Sequence, residues 1–124
     1  MIVPVMKDLE KEQAVPTEWR PVLCEIVDAI RNNTYDFSSA KYGVDALPEA
    51  RANQITNNIE HYGCELDRIT DEVWSSSVCR WQDGYWDLLV DLRTKEEGLS
   101  DLALIVRVFD EARYRFEVMS VHVP

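Results

Sequence analysis

Residues 84–123 read GYWDLLVDLRTKEEGLSDLALIVRVFDEARYRFEVMSVHV. Apolar and polar side chains alternate through this stretch with period two, the signature of strands with two unlike faces. From 85 to 93, Trp86, Leu88, Val90 and Leu92 share one face, and Tyr85, Asp87, Leu89, Asp91 and Arg93 the other. From 101 to 109, Leu102, Leu104, Val106 and Val108 oppose Asp101, Ala103, Ile105, Arg107 and Phe109. From 114 to 123, Tyr114, Phe116 and Val118 oppose Arg115, Glu117, Met119, Val121 and Val123, and His122 falls with the first set. Asp83-Gly84 is a hairpin signal, because both central residues of a tight primed turn need positive φ. A short strand from 77 to 82 should therefore precede the Trp86 strand, and 110–113 should turn the third strand into the fourth. The expectation is a four-stranded antiparallel β-meander.

The first half has helical periodicity. Behind Thr17, a good N-cap, the residues Trp19, Val22, Leu23, Ile26, Val27 and Ile30 form one apolar stripe. Pro21 sits in the first turn, where its missing N–H costs little. A second helix is expected over 48–61, capped by Asp45 or a neighbour, with Ala52, Ile55, Ile59 and Tyr62 on its buried side and Gly63 stopping it. Residues 34–44 read as a loop anchored by Tyr35, Phe37 and Tyr42. Together these predict one α+β domain over residues 1–124, with two N-terminal helices packed on the more apolar face of the meander. Trp19, Trp74, Trp81 and Trp86 should supply much of the packing.

Thirteen basic residues stand against twenty-three acidic ones, a net charge of −10. From 60 to 101 there are eleven acids and four bases, whereas 102–124 is neutral and the first 59 residues carry −3. Such a field repels nucleic acid and draws in basic proteins. Residues 1–6 are apolar but interrupted by Pro4 and followed by charge, which is neither a signal peptide nor a membrane span. Cys24, Cys64 and Cys79 are odd in number and widely spaced, as reduced thiols in a cytoplasmic protein would be.

The residues offer no catalytic, metal or cofactor site, and the chain is not expected to be an enzyme. Asp87 and Asp91 on one strand face, with Asp101 potentially opposite, resemble the acidic hairpin of metal-dependent nucleases. That chemistry needs a lysine two residues after the second carboxylate, and Arg93 is too firmly protonated to act as a base. His61 and Cys64 have the spacing of two zinc ligands but no recognisable second pair. The four glycines are isolated, so no phosphate-binding loop exists, and Ser75, Ser76 and Ser77 lack the glycines of a nucleophile elbow. In the Glu96-Glu97-Gly98 turn, Gly98 permits positive φ and Ser100 or Asp101 can bind loop amides, while Glu96 and Glu97 should point outward without internal partners.

The segment WDLLVDLRTKEEGLSDLAL, residues 86–104, together with the ending YRFEVMSVHVP, residues 114–124, resembles the hallmark segments of a small bacterial domain family of no assigned activity. The helix ending EHYG, residues 60–63, is similar to it as well. The resemblance covers roughly the last two thirds of the chain and implies an α+β fold. Arg93, in D-L-R-T, stands out in this segment as a mark of divergence toward a particular partner. In size, charge and fold class the chain also resembles immunity proteins of contact-dependent growth inhibition systems. That likeness implies stoichiometric binding of a cognate toxin C-terminal domain, with no nucleic acid or membrane involved. The expected partner-binding residues are Asp87, Asp91, Arg93, Glu96 and Glu97, with Glu65, Asp67, Asp71 and Glu72. A different expectation is a homodimer through the mixed sheet face, where Leu89, Ala103, Ile105, Phe109, Met119, Val121 and Val123 would leave an apolar patch.

Overall fold

The computed structural model describes residues 3–38 and 42–124. Residues 1–2 of the apolar N-terminal segment and 39–41 of the expected aromatic loop lie outside the described residues. The chain runs β1 (Glu12–Gln13), α1 (Arg20–Arg31), β2 (Gly43–Val44), α2 (Glu49–Tyr62), β3 (Val78–Trp81), β4 (Tyr85–Thr94), β5 (Gly98–Phe109) and β6 (Arg115–His122). Short 3₁₀ turns lie at Thr17–Trp19 and Asp71–Ser75. The fold is mixed α+β, but the sheet has six strands in the order β1-β3-β4-β5-β6-β2 rather than four. β1 is antiparallel to β3, whereas β2 is parallel to β6. The helices therefore do not precede all the strands, since β1 lies before α1 and β2 between the two helices. Both added strands are two residues long, too short to show an alternation.

At the β3–β4 hairpin, Asp83 and Gly84 have φ of 59° and 130°, and Gln82 N–H bonds the Tyr85 carbonyl at 2.8 Å. Leu88, Val90, Leu104, Val106, Phe116 and Val118 are all fully buried on the covered face, joined by Cys79 from β3. The α1 stripe from Trp19 to Ile30 packs into the same hydrophobic cluster. Thr17 does not cap α1. Instead Trp19 N–H bonds the Pro16 carbonyl at 3.0 Å, and the resulting 3₁₀ turn fills the place where the threonine would have capped. Asp45 does not cap α2 either, because its carboxylate pairs with Arg115, and Pro48 opens the helix in extended geometry. Gly63 ends α2 in the left-handed conformation at φ 79°. Only Ile55 of α2 is fully buried, while Ala52, Ile59 and Tyr62 are half-buried.

Beyond β2, which pairs with the first residues of β6, α2 closes the rest of that strand's outer edge. Arg51 donates to the Val118 carbonyl at 3.2 Å and Asn58 to the Val121 carbonyl at 2.9 Å, so an edge that would otherwise be open to pairing is occupied. The β6 register slips between Val118, opposite Val106, and Ser120, opposite Ile105. This bulge at Met119 inverts the expected alternation. Val121 joins the core at 0% exposure, and His122 turns to the open face opposite Ala103. No helix among the described residues is long and apolar enough to cross a membrane.

Trp19 is fully buried, so Trp19→Ala should cost about 3–5 kcal/mol, readable as a lower urea midpoint at unchanged slope. Burial pushes the Cys79 thiol from the usual 9.0 up to about 12, with Asp87 adding to the shift. The folded state therefore holds this proton more tightly than the unfolded chain. Its contribution is complete below pH 9 and fades as pH rises toward 12. Denaturant titrations across this range should show a flatter alkaline decline for Cys79→Val than for the parent.

Candidate functional site

Two regions contain the nominated residues, and the structure separates them. The first is the sheet face opposite the helices. Strand pairing places Glu12, Arg80, Asp87, Arg107 and Glu117 side by side across β1, β3, β4, β5 and β6, so charge alternates in sign from strand to strand. Arg80 pairs with Glu12 at 2.9 Å and Arg107 with Asp87 at 3.4 Å. Asp87 is thus the middle member of a charge row and not an unattached acid. Next to this row lies a second, made of Val78, Leu89, Ile105 and Ser120. On its other side Tyr85 faces Phe109, with ring centroids 5.6 Å apart, and Arg107 and Arg115 lie over the two rings. Val121 is absent from this face, and Ala103, though on it, is buried.

The second region surrounds the β4–β5 turn. Segment 65–67 takes over beside β4 where β3 ends: Lys95 N–H bonds the Glu65 carbonyl and Asp67 N–H the Arg93 carbonyl, both at 2.9 Å. Segments 65–72 and 91–101 are thereby brought together. They carry eight carboxylates (Glu65, Asp67, Asp71, Glu72, Asp91, Glu96, Glu97 and Asp101) and three bases (Arg68, Arg93 and Lys95). Asp71 and Glu72 occupy the first turn of the second 3₁₀ segment, where backbone N–H groups favour negative charge.

Glu96 and Glu97, expected to lack internal partners, are tied to the fold. Tyr62 donates its hydroxyl proton to Glu97 Oε1 at 2.6 Å, and Glu65 N–H donates to Glu96 Oε1 at 3.0 Å. Lys95 reaches Glu65 at 3.2 Å, and Arg93 pairs with Glu72. Ser76 bonds Asp91, and Asp67 accepts the Arg68 N–H at 2.9 Å. The turn itself is fastened from below. Thr94, fully buried, accepts the Glu97 N–H at 3.0 Å; Ser100 donates to the Leu92 carbonyl at 2.8 Å and accepts the Leu102 N–H at 3.2 Å. Gly98 takes φ 75° as the turn requires. Asp101 contributes its backbone N–H, to Tyr62, at 3.4 Å. It does not face Asp91, which pairs with Ala103 because the β5 register shifts there. The nuclease-like pair of facing carboxylates is therefore not assembled.

Sequence reasoning gave no site role to Tyr62, Thr94, Ser76 or Ser77. Ser77 is the most buried of the serines of its run; it donates to the Val73 carbonyl at 2.7 Å and accepts the Asp91 N–H at 3.0 Å, closing the ladder where β3 stops. Only Tyr62 carried a signal, its place one residue before the helix-ending glycine. The local field shows in the ionisable groups. The Glu97 hydrogen bond raises the Tyr62 phenol above its usual range. Burial, then Glu96 and Glu97, raises the Cys64 thiol, and burial with Asp28, Asp71 and Glu25 does the same for Cys24. Among the described residues no three His, Cys, Asp or Glu side chains are grouped to hold a metal ion. The arrangement is suited to presenting fixed negative charge.

If Glu97 holds the Tyr62 proton, Glu97→Gln should bring the Tyr62 pKa down toward its ordinary value. NMR titration of the tyrosine rings reads this directly, and an unmoved Tyr62 would show that the hydrogen bond does not form in solution.

No curated protein and no solved structure is significantly similar to this chain. A family model does match, over residues 27–124, which takes in both helices' buried faces from Val27 onward, strands β2 to β6 and the acidic turn. The chain belongs to the family described as Domain of unknown function (DUF7668).

Proposed function

We propose that this protein is a bacterial cytoplasmic immunity protein, which neutralises a cognate toxin C-terminal domain by stoichiometric binding, in the manner of contact-dependent growth inhibition systems. The observation that carries this reading is the acidic end of the sheet, where eight carboxylates surround a turn held rigid by Thr94, Ser100 and Tyr62. Charge fixed in position before binding loses less side-chain entropy on docking than charge on mobile chains. A basic toxin domain, such as a nuclease, is the complementary partner, because a negative field both steers its approach and competes for the surface that meets nucleic acid. Glu65, Asp67, Asp71, Glu72, Asp91, Glu96 and Glu97 form the docking surface in this proposal. Arg93 positions Glu72 within it, and Asp87 lies apart on the open face. Inhibition by occupancy needs no turnover, so the chain acts without catalytic residues or a cofactor. Three unpaired thiols accord with the cytoplasm.

The test is co-purification with the toxin domain encoded beside this protein's gene, followed by association kinetics at low and high salt. A one-to-one complex that suppresses toxicity is expected. The triple variant Asp71→Asn, Glu96→Gln, Glu97→Gln should slow association roughly tenfold at low salt and much less at high salt. An affinity indifferent to both salt and these substitutions would remove the electrostatic mechanism.

A further inference from the structure

We propose that the open face of the sheet joins two copies of this chain about a twofold axis that runs parallel to the strands, midway between β4 and β5. The alternating charge row decides where such an axis can lie. Its members, Glu12, Arg80, Asp87, Arg107 and Glu117, succeed one another at single-strand steps. An axis along β4 would set Asp87 against itself and Arg80 against Arg107 of the second copy, like charge on like. An axis along β5 would set Arg107 against itself. Midway between the two strands the signs become complementary: Asp87 faces Arg107 of the second copy, and Arg80 faces its Glu117.

The neighbouring rows choose this axis over the other half-steps. It lays Leu89 over Ile105 of the second copy and Tyr85 over its Phe109, apolar on apolar and ring on ring. An axis between β3 and β4 also opposes unlike charges and lays Val78 over Leu89, but it leaves Phe109 at the rim; one between β5 and β6 opposes Arg107 and Glu117 but lays Ile105 over Ser120 and Phe109 over Arg115. The internal Asp87–Arg107 pair leaves capacity for a second partner. It is open at 3.4 Å through two atoms turned away from solvent, and the remainder of each side chain stays about a third exposed, 36% for Asp87 and 37% for Arg107, within reach of an opposing group. A depression of about 210 Å³ between Arg80, Leu89 and Ile105 offers room for an opposing side chain.

Size and charge permit the contact. Two residues of β1, four of β3 and about eight each of β4, β5 and β6, at about 4.8 Å spacing and 3.4 Å rise, give a projected footprint of roughly 490 Å². The accessible surface of the side chains exceeds that projection, which places the contact at the small end of the range centred on ~800 Å² per partner. The row itself holds three acids and two bases, so most of the chain's net charge lies outside the contact. Asp91, in the row beyond Leu89 and Ile105, lies at the border of such a dimer; the other carboxylates of the acidic turn stay free, and the inference does not rest on the inhibitor reading.

Sedimentation of the full chain should give twice the 14.4 kDa chain mass. Ile105→Glu, at a half-buried position, should return it to the monomer, with the dissociation constant raised about 100-fold or more. Packed sheets stand about 10 Å apart, too far for a disulfide but within reach of a short bis-maleimide. With the half-buried Cys24 and Cys64 replaced by serine, a mixture of Leu89→Cys and Ile105→Cys chains should therefore cross-link to each other in preference to either self-pairing. Both cysteine variants keep a small uncharged side chain, so this arm stands even if I105E fails to fold. A monomer at every soluble concentration, a dimer that I105E leaves intact, or preferential L89C self-linking would each overturn the proposal. Substituting the acidic-turn carboxylates other than Asp91 should leave the mass unchanged, which separates failure of this inference from failure of the inhibitor reading.

Discussion

Trp19 lies edge-on to three other rings, with centroids 5.5 Å from Trp86, 5.3 Å from Tyr114 and 5.9 Å from Phe116, and the rest of the architecture depends on this junction. It joins the start of α1 to the middle of the sheet and to the beginning of β6 in one contact set. Its indole N–H is buried without a hydrogen-bond partner among the described residues, a cost of about 1–3 kcal/mol that the surrounding ring packing must offset. Further rings extend the junction in both directions. Tyr42 stacks on Phe116 beside β2, and Trp81 packs on Trp86 at 4.7 Å. The Trp86 indole N–H reaches back to the Met6 carbonyl at 2.9 Å, fastening the segment that precedes β1. Once Trp19 occupies this side of the sheet, the opposite side is the one left to solvent.

That assignment determines what the charges do. On the open face, opposite signs alternate across strands and are largely spent on one another. Around the β4–β5 turn acids outnumber bases, and those tied to the fold are tied mostly by hydrogen bonds from neutral donors, Tyr62 and backbone amides, which hold a carboxylate in place without cancelling its charge. The same residue type thus has two roles in one small domain. Asp87 completes a near-neutral row, whereas Glu96 and Glu97 stand in a rigid negative surface. The Tyr62 phenol, raised by its hydrogen bond to Glu97, and the Cys64 thiol, raised first by burial and then by Glu96 and Glu97, both border that surface.

Much of the architecture was legible in the chain before any coordinates. Period-two alternation marked the long strands, the Trp19-to-Ile30 stripe marked α1, and Asp83-Gly84 and Gly63 marked a hairpin and a helix end, because each is a local consequence of backbone geometry. The failures were not local. β1 and β2 exist because an edge of the sheet recruits two residues from a distant segment. Thr17 and Asp45 are plausible caps that lost, one to a 3₁₀ turn and the other to Arg115. Alternation in β6 reversed at a bulge that no residue type announced, which exchanged Val121 and His122 between faces.

The candidate site divides along the same line. Composition and order along the chain determined the acid excess, its concentration in residues 60–101 and the unlike faces of each strand, because these are counts and periods. Only the tertiary structure decided which face the helices cover, that Asp87 sits between two arginines, and that Tyr62 and Glu65, some thirty residues upstream of the turn, hold Glu97 and Glu96. Strand register and long-range hydrogen bonds set those relations, and register is a property of two segments paired, which neither segment contains alone.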